Sequence, residues 1–130
     1  MILQTTLSLA AAAAVIHLWL FVRVTQRRFA VKAIHGDGGD AHLFRRIRAH
    51  GNFIENTPLF LVLVAAIELT GKGGTWLAIV GSAFMLARLA HAFGMESPKA
   101  NPFRAAGMLV TLLLLTVLAV IAVLIALGRF

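Results

Sequence analysis

An all-α integral membrane four-helix bundle, left-handed and up-down, is the fold class this sequence predicts. Three observations predict it. Of 130 residues, 60% are hydrophobic and only 13% charged. A soluble domain needs about a quarter of its residues charged to wet its surface. The mean hydropathy is +0.90, and the same composition excludes a disordered chain. The apolar residues fall into four runs, each long enough to cross a bilayer once its flanks are included. Finally, the basic residues are segregated between the two sets of connecting loops, as they are in membrane bundles. The whole chain, 1–130, reads as one transmembrane domain with spans near 2–24, 44–69, 75–95 and 104–128.

The first run, Met1 to Val22, carries no charge and is followed by Arg23, Arg27, Arg28 and Lys32. A cleavable signal would place its cations before the apolar stretch, so this run is read as a retained helix. The second run, Asn56 to Ile67, is too short alone. It spans only if the helix begins near Leu43 and takes in Arg45, Arg48, Asn52 and Glu55. The third runs from Trp76 to about Met95 and contains Arg88 and His91. The fourth, Ala105 to Gly128, is uncharged and rich in leucine. Thr70-Gly-Lys-Gly-Gly-Thr75 predicts a tight hairpin between helices two and three. Pro98 and Pro102 break the chain before helix four.

Charge counting gives the orientation. The loops after helices one and three, with their helix ends, carry Arg27, Arg28, Lys32, Arg45, Arg46, Arg48, Lys99 and Arg104. The other side carries Lys72 and Arg129. Both basic loops are therefore expected in the cytoplasm and both termini outside it. The net charge of +7 is read first as this signal and as affinity for anionic lipid headgroups. Nucleic acid is not an expected partner, because the cations are not interleaved with aromatics on a soluble face.

Charge inside a span costs about 3 kcal/mol at the centre and marks a site or a pair. Arg48, Asn52 and Glu55 are spaced i, i+4, i+7 and so share one face of helix two. Arg88, His91 and Met95 repeat the device on helix three. Glu55 lies about 10 Å above Arg48, and Arg88 a similar distance above Met95, at 1.5 Å per residue. Two readings follow. Glu55 and Arg88 form a buried structural ion pair, which buried charges require in any case. Alternatively, the residues line a pocket open to the cytoplasm. Its mouth is then Arg27, Arg28, Arg48 and Arg104, and its inner wall Asn52, Glu55, Arg88 and His91. Such a pocket draws in a small anion with carboxylates, and the inner carboxylate holds an ammonium group. His17, alone on an apolar face, reads as a core histidine. His35, Asp37, Asp40 and His42 read as solvated loop residues, and no metal site is expected. There is no cysteine, hence no disulfide or thiolate site, and no tyrosine.

The stretch Arg48-Ala-His-Gly-Asn-Phe-Ile-Glu55, followed by Asn-Thr-Pro58, resembles the signature of the MAPEG family, the membrane-associated proteins of eicosanoid and glutathione metabolism. Ala87-Arg-Leu-Ala-His91 and Arg104 after a proline-containing loop extend the resemblance over essentially the whole chain. It is nearest to the compact branch of the bacterial inner (plasma) membrane. The resemblance implies a homotrimer with glutathione in a cytoplasm-facing cleft between subunits. It implies glutathione contacts for Arg48, Asn52, Glu55, His91 and Arg104. Arg28 or Arg104 would stabilise the thiolate that attacks a small lipophilic substrate entering from the bilayer. The sequence departs from the family at Gly51, where prostaglandin E synthases carry an arginine, and at Met95 and Met108, where family enzymes often carry tyrosine. Three functions are therefore weighed: a glutathione-dependent transferase or peroxidase, a non-catalytic binding or scaffold protein of the same fold, and a small drug exporter. The exporter ranks last, because its class relies on a carboxylate in the first span and none is present here.

Overall fold

The computed structural model describes residues 1–130 as four helices: α1 Gln4–Val31, α2 Ala41–Leu69, α3 Thr75–Gly94 and α4 Pro102–Ala126. All four are long and apolar enough to cross a membrane. The shortest, α3, has 20 residues, about 30 Å of rise and one bilayer core. The helix ends lie within three residues of the apolar segments read from the sequence, except after α1. There α1 continues to Val31, past the expected end of its span. Arg27 on that extra length, and Arg23 just before it, are held by acids from elsewhere in the chain, so the helix persists beyond its apolar run.

Three of the four helix starts are closed by a side chain. Asp40 caps α2 by accepting from Leu43 N at 2.7 Å, and Asn101 caps α4 by accepting from Phe103 N at 2.9 Å, with Pro102 in the first turn. These short polar side chains satisfy backbone donors that have no partner inside the helix. The start of α1 is closed from 62 residues away. Glu68, at the end of α2, accepts from Thr5 N and Thr6 N at 2.8 Å each and from the Thr6 hydroxyl at 2.7 Å. A carboxylate also favours the positive end of the helix dipole. The α2–α3 hairpin turns through Gly71 and Gly74, both at positive φ, where a side chain would be strained.

The core lies where α1, α2 and α3 meet, with Leu118 reaching in from α4. Phe60 and Phe84 stack with their centroids 3.7 Å apart. Two glycines set the α3–α4 approach. A Cβ on Gly107 would collide with the Ala87 carbonyl and with His91, and one on Gly94 with the backbone of Arg104. Small residues at such crossings let membrane helices close to backbone contact. Outside the core, Phe21, Leu59, Val62, Ile79, Leu86 and Val120 are exposed, as lipid-facing side chains are.

The basic end is tied by two carboxylates. Asp40 pairs bidentately with Arg27, at 3.0 and 2.7 Å. Glu96, just past α3, gathers Arg23 from α1 and His42 and Arg46 from α2. Arg23 also lies over the Trp19 ring, 4.5 Å from its centroid. The Arg27 hydrogen bond and the Leu43 amide hold the Asp40 carboxyl down at about 2. Burial alone would raise Glu96, but the bonds from His42 and Arg46 and the charges of Arg23 and Arg46 outweigh it and leave it below the usual range.

A carboxylate lowered on folding adds stability that is complete above its unfolded pKa, about 3.9 for Asp. That stability is lost as the pH falls through the native value. The thermal midpoint of the detergent-solubilised protein is therefore expected to fall between about pH 4 and pH 2. Asp40→Asn starts lower at neutral pH and has a shallower acid limb in scanning fluorimetry. An equally steep limb in the variant contradicts this assignment.

Candidate functional site

The polar residues of the spans converge where α2, α3 and α4 meet near the basic end. The i, i+4 spacing on α2 brings Arg48 and Asn52 to one face, and α3 presents His91 and Met95. The first turns of α4 supply Arg104, Ala105 and Met108. These seven residues line a cavity of about 430 Å³, within the usual range for a small-molecule site. Gly107 and Gly94 shape it, since their missing side chains let α4 settle against His91.

Behind the cavity lies Arg88, only 2% exposed. It donates to the Asn52 side-chain oxygen and to Met108 Sδ at 3.8 Å. Asn52 donates to the same sulfur at 3.7 Å. Arg88 Nε is buried and has no partner, and no carboxylate comes within ion-pair distance of the group. A buried guanidinium facing an amide and a thioether is an unbalanced cation.

The expected Glu55–Arg88 pair is therefore replaced by a different arrangement. Glu55 sits on the outer side of α2 and meets Arg48 at 3.7 Å, with both side chains about half exposed. Arg88 reaches Asn52, about one turn nearer the basic end. Equal rise along two helices gives equal depth but not facing sides, because the helices rotate and cross. The expected mouth is also narrower. Arg48 and Arg104 line the cavity, whereas Arg27 is bound to Asp40 and Arg28 donates to Gly36 O at 2.6 Å. Glu55 lies beside the opening, linked to it through Arg48. Gly51 lies between them with room to spare, since a Cβ there would stand 3.9 Å from both Arg48 Nη1 and Glu55 Oε1.

Some of the observed chemistry was not read from the sequence. The Glu96 cluster joins residues that are 50 to 73 positions apart, and no local spacing signals it. His17 is not alone, because its Nδ1 lies 3.0 Å from His50 Nε2 on α2. The role of Met108 as the acceptor shared by Arg88 and Asn52 has no sequence signal, since thioethers in spans read as packing. A larger recess of about 660 Å³ lies at the opposite end, lined by Gln4, Thr5, Ser8, Thr75 and Glu68 among others. Its one carboxylate is already occupied by the start of α1, so it lacks the unbalanced charge of the α2–α3–α4 cleft.

If Asn52 exists to hold Arg88, then Asn52→Leu strands the guanidinium and costs about 2–3 kcal/mol. Arg88→Met alone is expected to be neutral or stabilising, and to abolish most of the cost of Asn52→Leu in the double variant. Denaturant unfolding of the four proteins in mixed micelles measures the coupling, and strictly additive effects contradict it.

A sequence model of the MAPEG family matches residues 6–124. The chain is also similar to the inner membrane protein YecN of Escherichia coli, in strains K12 and O6:H1. Each is 36% identical over 99 residues, which is 74% of this chain and 74% of that protein.

Proposed function

The chain belongs to the MAPEG family, and from that membership we propose a glutathione-dependent transferase or peroxidase that acts on a lipophilic electrophile. In this reading it resides in the bacterial inner membrane, where the name of the E. coli relative places that protein. The bundle crosses the bilayer up and down, left-handed, with its basic end in the cytoplasm and both termini outside. Three copies assemble, and the cleft opens toward the boundary between them.

One observation carries the proposal: Arg48, Asn52, His91 and Arg104 converge on a cavity backed by a buried Arg88 that lacks a counter-ion. The donor set fits glutathione. Two carboxylates would find Arg48 and Arg104 at the opening and the Arg88–Asn52 unit behind it. Glu55, exposed next to Arg48, is placed for an ammonium group. When bound, glutathione supplies a thiol whose ionised form attacks carbon or peroxide oxygen. Arg104, one of the two guanidiniums on the cavity wall, favours the ionised sulfur. Arg28 takes that part only if a neighbouring copy brings it to the cleft, since within one chain it is bound to the Gly36 carbonyl. The exposed aliphatic faces of α2 and α4 border a groove of about 610 Å³ lined by Leu59, Leu63, Ala119 and Val123 among others, through which a lipophilic substrate would arrive from the bilayer.

A second reading has one observation in its favour. None of the cavity-lining side chains bears a hydroxyl, so a binding or scaffold protein without the chemistry is the alternative. Calorimetry on detergent-purified protein separates the two. The enzyme reading predicts heat on adding glutathione, a loss of affinity of about 10- to 100-fold in Arg48→Ala, and conjugation of an aryl halide that falls at least about tenfold in Arg104→Ala. A well-folded protein with no heat and no turnover contradicts it. In that case Glu55→Gln is expected to weaken assembly alone.

A further inference from the structure

We propose that Glu96 is a positioning residue of the cleft, a clasp that holds its two walls at the separation a dicarboxylate ligand requires. The inference deepens the glutathione reading and rests on it for the choice of ligand. The four helices form two pairs, because α1 packs mainly on α2 and α3 mainly on α4. The cavity lies between the pairs. Arg48 and Asn52 come from the first, and His91, Met95, Arg104 and Met108 from the second. The chain passes from one pair to the other only at the α2–α3 hairpin, at the far end of the bundle.

From the hairpin to the middle of the bundle, packing locks the pairs together. Phe60 stacks on Phe84, and Leu9 fills the space that a side chain on Gly81 would need. At the basic end both loops stay within a pair, so no backbone crosses the seam. Trp19 meets Phe93 across it, and the remaining hold at the surface is charge. Every ion pair that crosses the seam ends on Glu96. Its carboxylate accepts from Arg23 on α1 and from Arg46 Nε on α2 at 3.0 Å, and lies 2.7 Å from His42 Nε2. Arg46 also donates to the Arg23 carbonyl at 2.8 Å, which fixes both cations on the first pair.

The clasp reaches both walls. Arg46 and Arg48 are two residues apart, about 200° around the helix, and so point to nearly opposite sides of α2. Glu96 therefore grips α2 from behind while Arg48 faces the cavity, which checks the rotation of that wall as well as its distance. On the other wall, Met95 precedes Glu96 directly. Gly94 lies so close to the backbone of Arg104 that a methyl group would not fit between them. A displacement of Glu96 thus carries Met95 and Arg104 with it. Arg48 and Arg104 stand on opposite walls of a gap set by one carboxylate. A ligand that engages two guanidiniums through two carboxylates needs that spacing to match. Asp40 differs, because its pair with Arg27 joins α1 to the start of α2 and does not cross the seam.

The test uses the full chain, which has no cysteine of its own. Phe44 on α2 and Phe103 on α4, both exposed near the basic end, are replaced by cysteine and spin-labelled. The labelled protein is diluted into unlabelled protein in detergent micelles, so that electron–electron resonance reads the separation of the two pairs within one chain. Glutathione affinity is measured on the same variants without labels, well below the thermal midpoint. In Glu96→Gln the separation is expected to lengthen and broaden, and glutathione to bind about tenfold more weakly. In Asp40→Asn the thermal midpoint falls, while separation and affinity stay as in the wild type. If Glu96→Gln does not fold, Arg46→Gln, which removes one arm of the clasp, is read in its place, with the same direction of change. A folded Glu96→Gln that keeps the wild-type separation or the wild-type affinity and loses only thermal stability makes Glu96 a structural brace and overturns the proposal. If the wild-type protein binds no glutathione, the glutathione reading fails. The label separation needs no ligand and still decides whether Glu96 sets the cleft.

Discussion

The arrangement of the cytoplasm-expected end depends on one buried cation. Arg88 is enclosed between α2, α3 and α4 and is answered only by the Asn52 amide and the Met108 thioether. Neither partner neutralises it, and one guanidinium nitrogen has no partner at all. A charge left in this state is costly in a low-dielectric interior. Its persistence beside a cavity that also holds Arg48 and Arg104 makes the cleft attractive to an anion. In this account the bundle gives up stability at Arg88 so that a ligand can supply the missing negative charge.

The rest of the fold builds a rigid frame around that deficit. Glu68 binds the start of α1 to the end of α2. Glu96 draws α1 and α2 to the residues just after α3. Gly94 and Gly107 allow α4 to approach α3 closely enough to form the cavity wall. Both carboxylates are used up within the frame, so neither can relieve Arg88. Glu55 stays with Arg48 at the rim. Four of the five acidic residues, Asp40, Glu55, Glu68 and Glu96, are thus held at the ends or rim of the bundle, and none reaches its polar interior.

Much of this was legible in the sequence, for physical reasons specific to each part. The four helices followed from apolar runs of spanning length, because a bilayer admits few alternatives. Arg48 and Asn52 were placed on one face by spacing alone. Their meeting with His91 and Arg104 was one of two readings of the charges inside the spans, and the resemblance to a known family implied it again. Other features depend on how the helices rotate and cross. The partner of Arg88 was misassigned by about one turn, because equal depth does not mean facing sides. The His17–His50 contact and the Glu96 cluster join distant segments with no repeating pattern to connect them. Arg28 was expected at the cleft, but its carbonyl partner lies in a glycine-rich loop whose path spacing cannot give.

An excess of positive charge, and not shape alone, makes the α2–α3–α4 cleft attractive to an anion. The most direct measurement compares the affinity of glutathione with that of its diester, in which both carboxylates are masked, by calorimetry at low and moderate salt. The account predicts at least about tenfold weaker binding of the diester, together with a salt dependence confined to the free acid. Equal affinity of the two compounds, unaffected by salt, would contradict it.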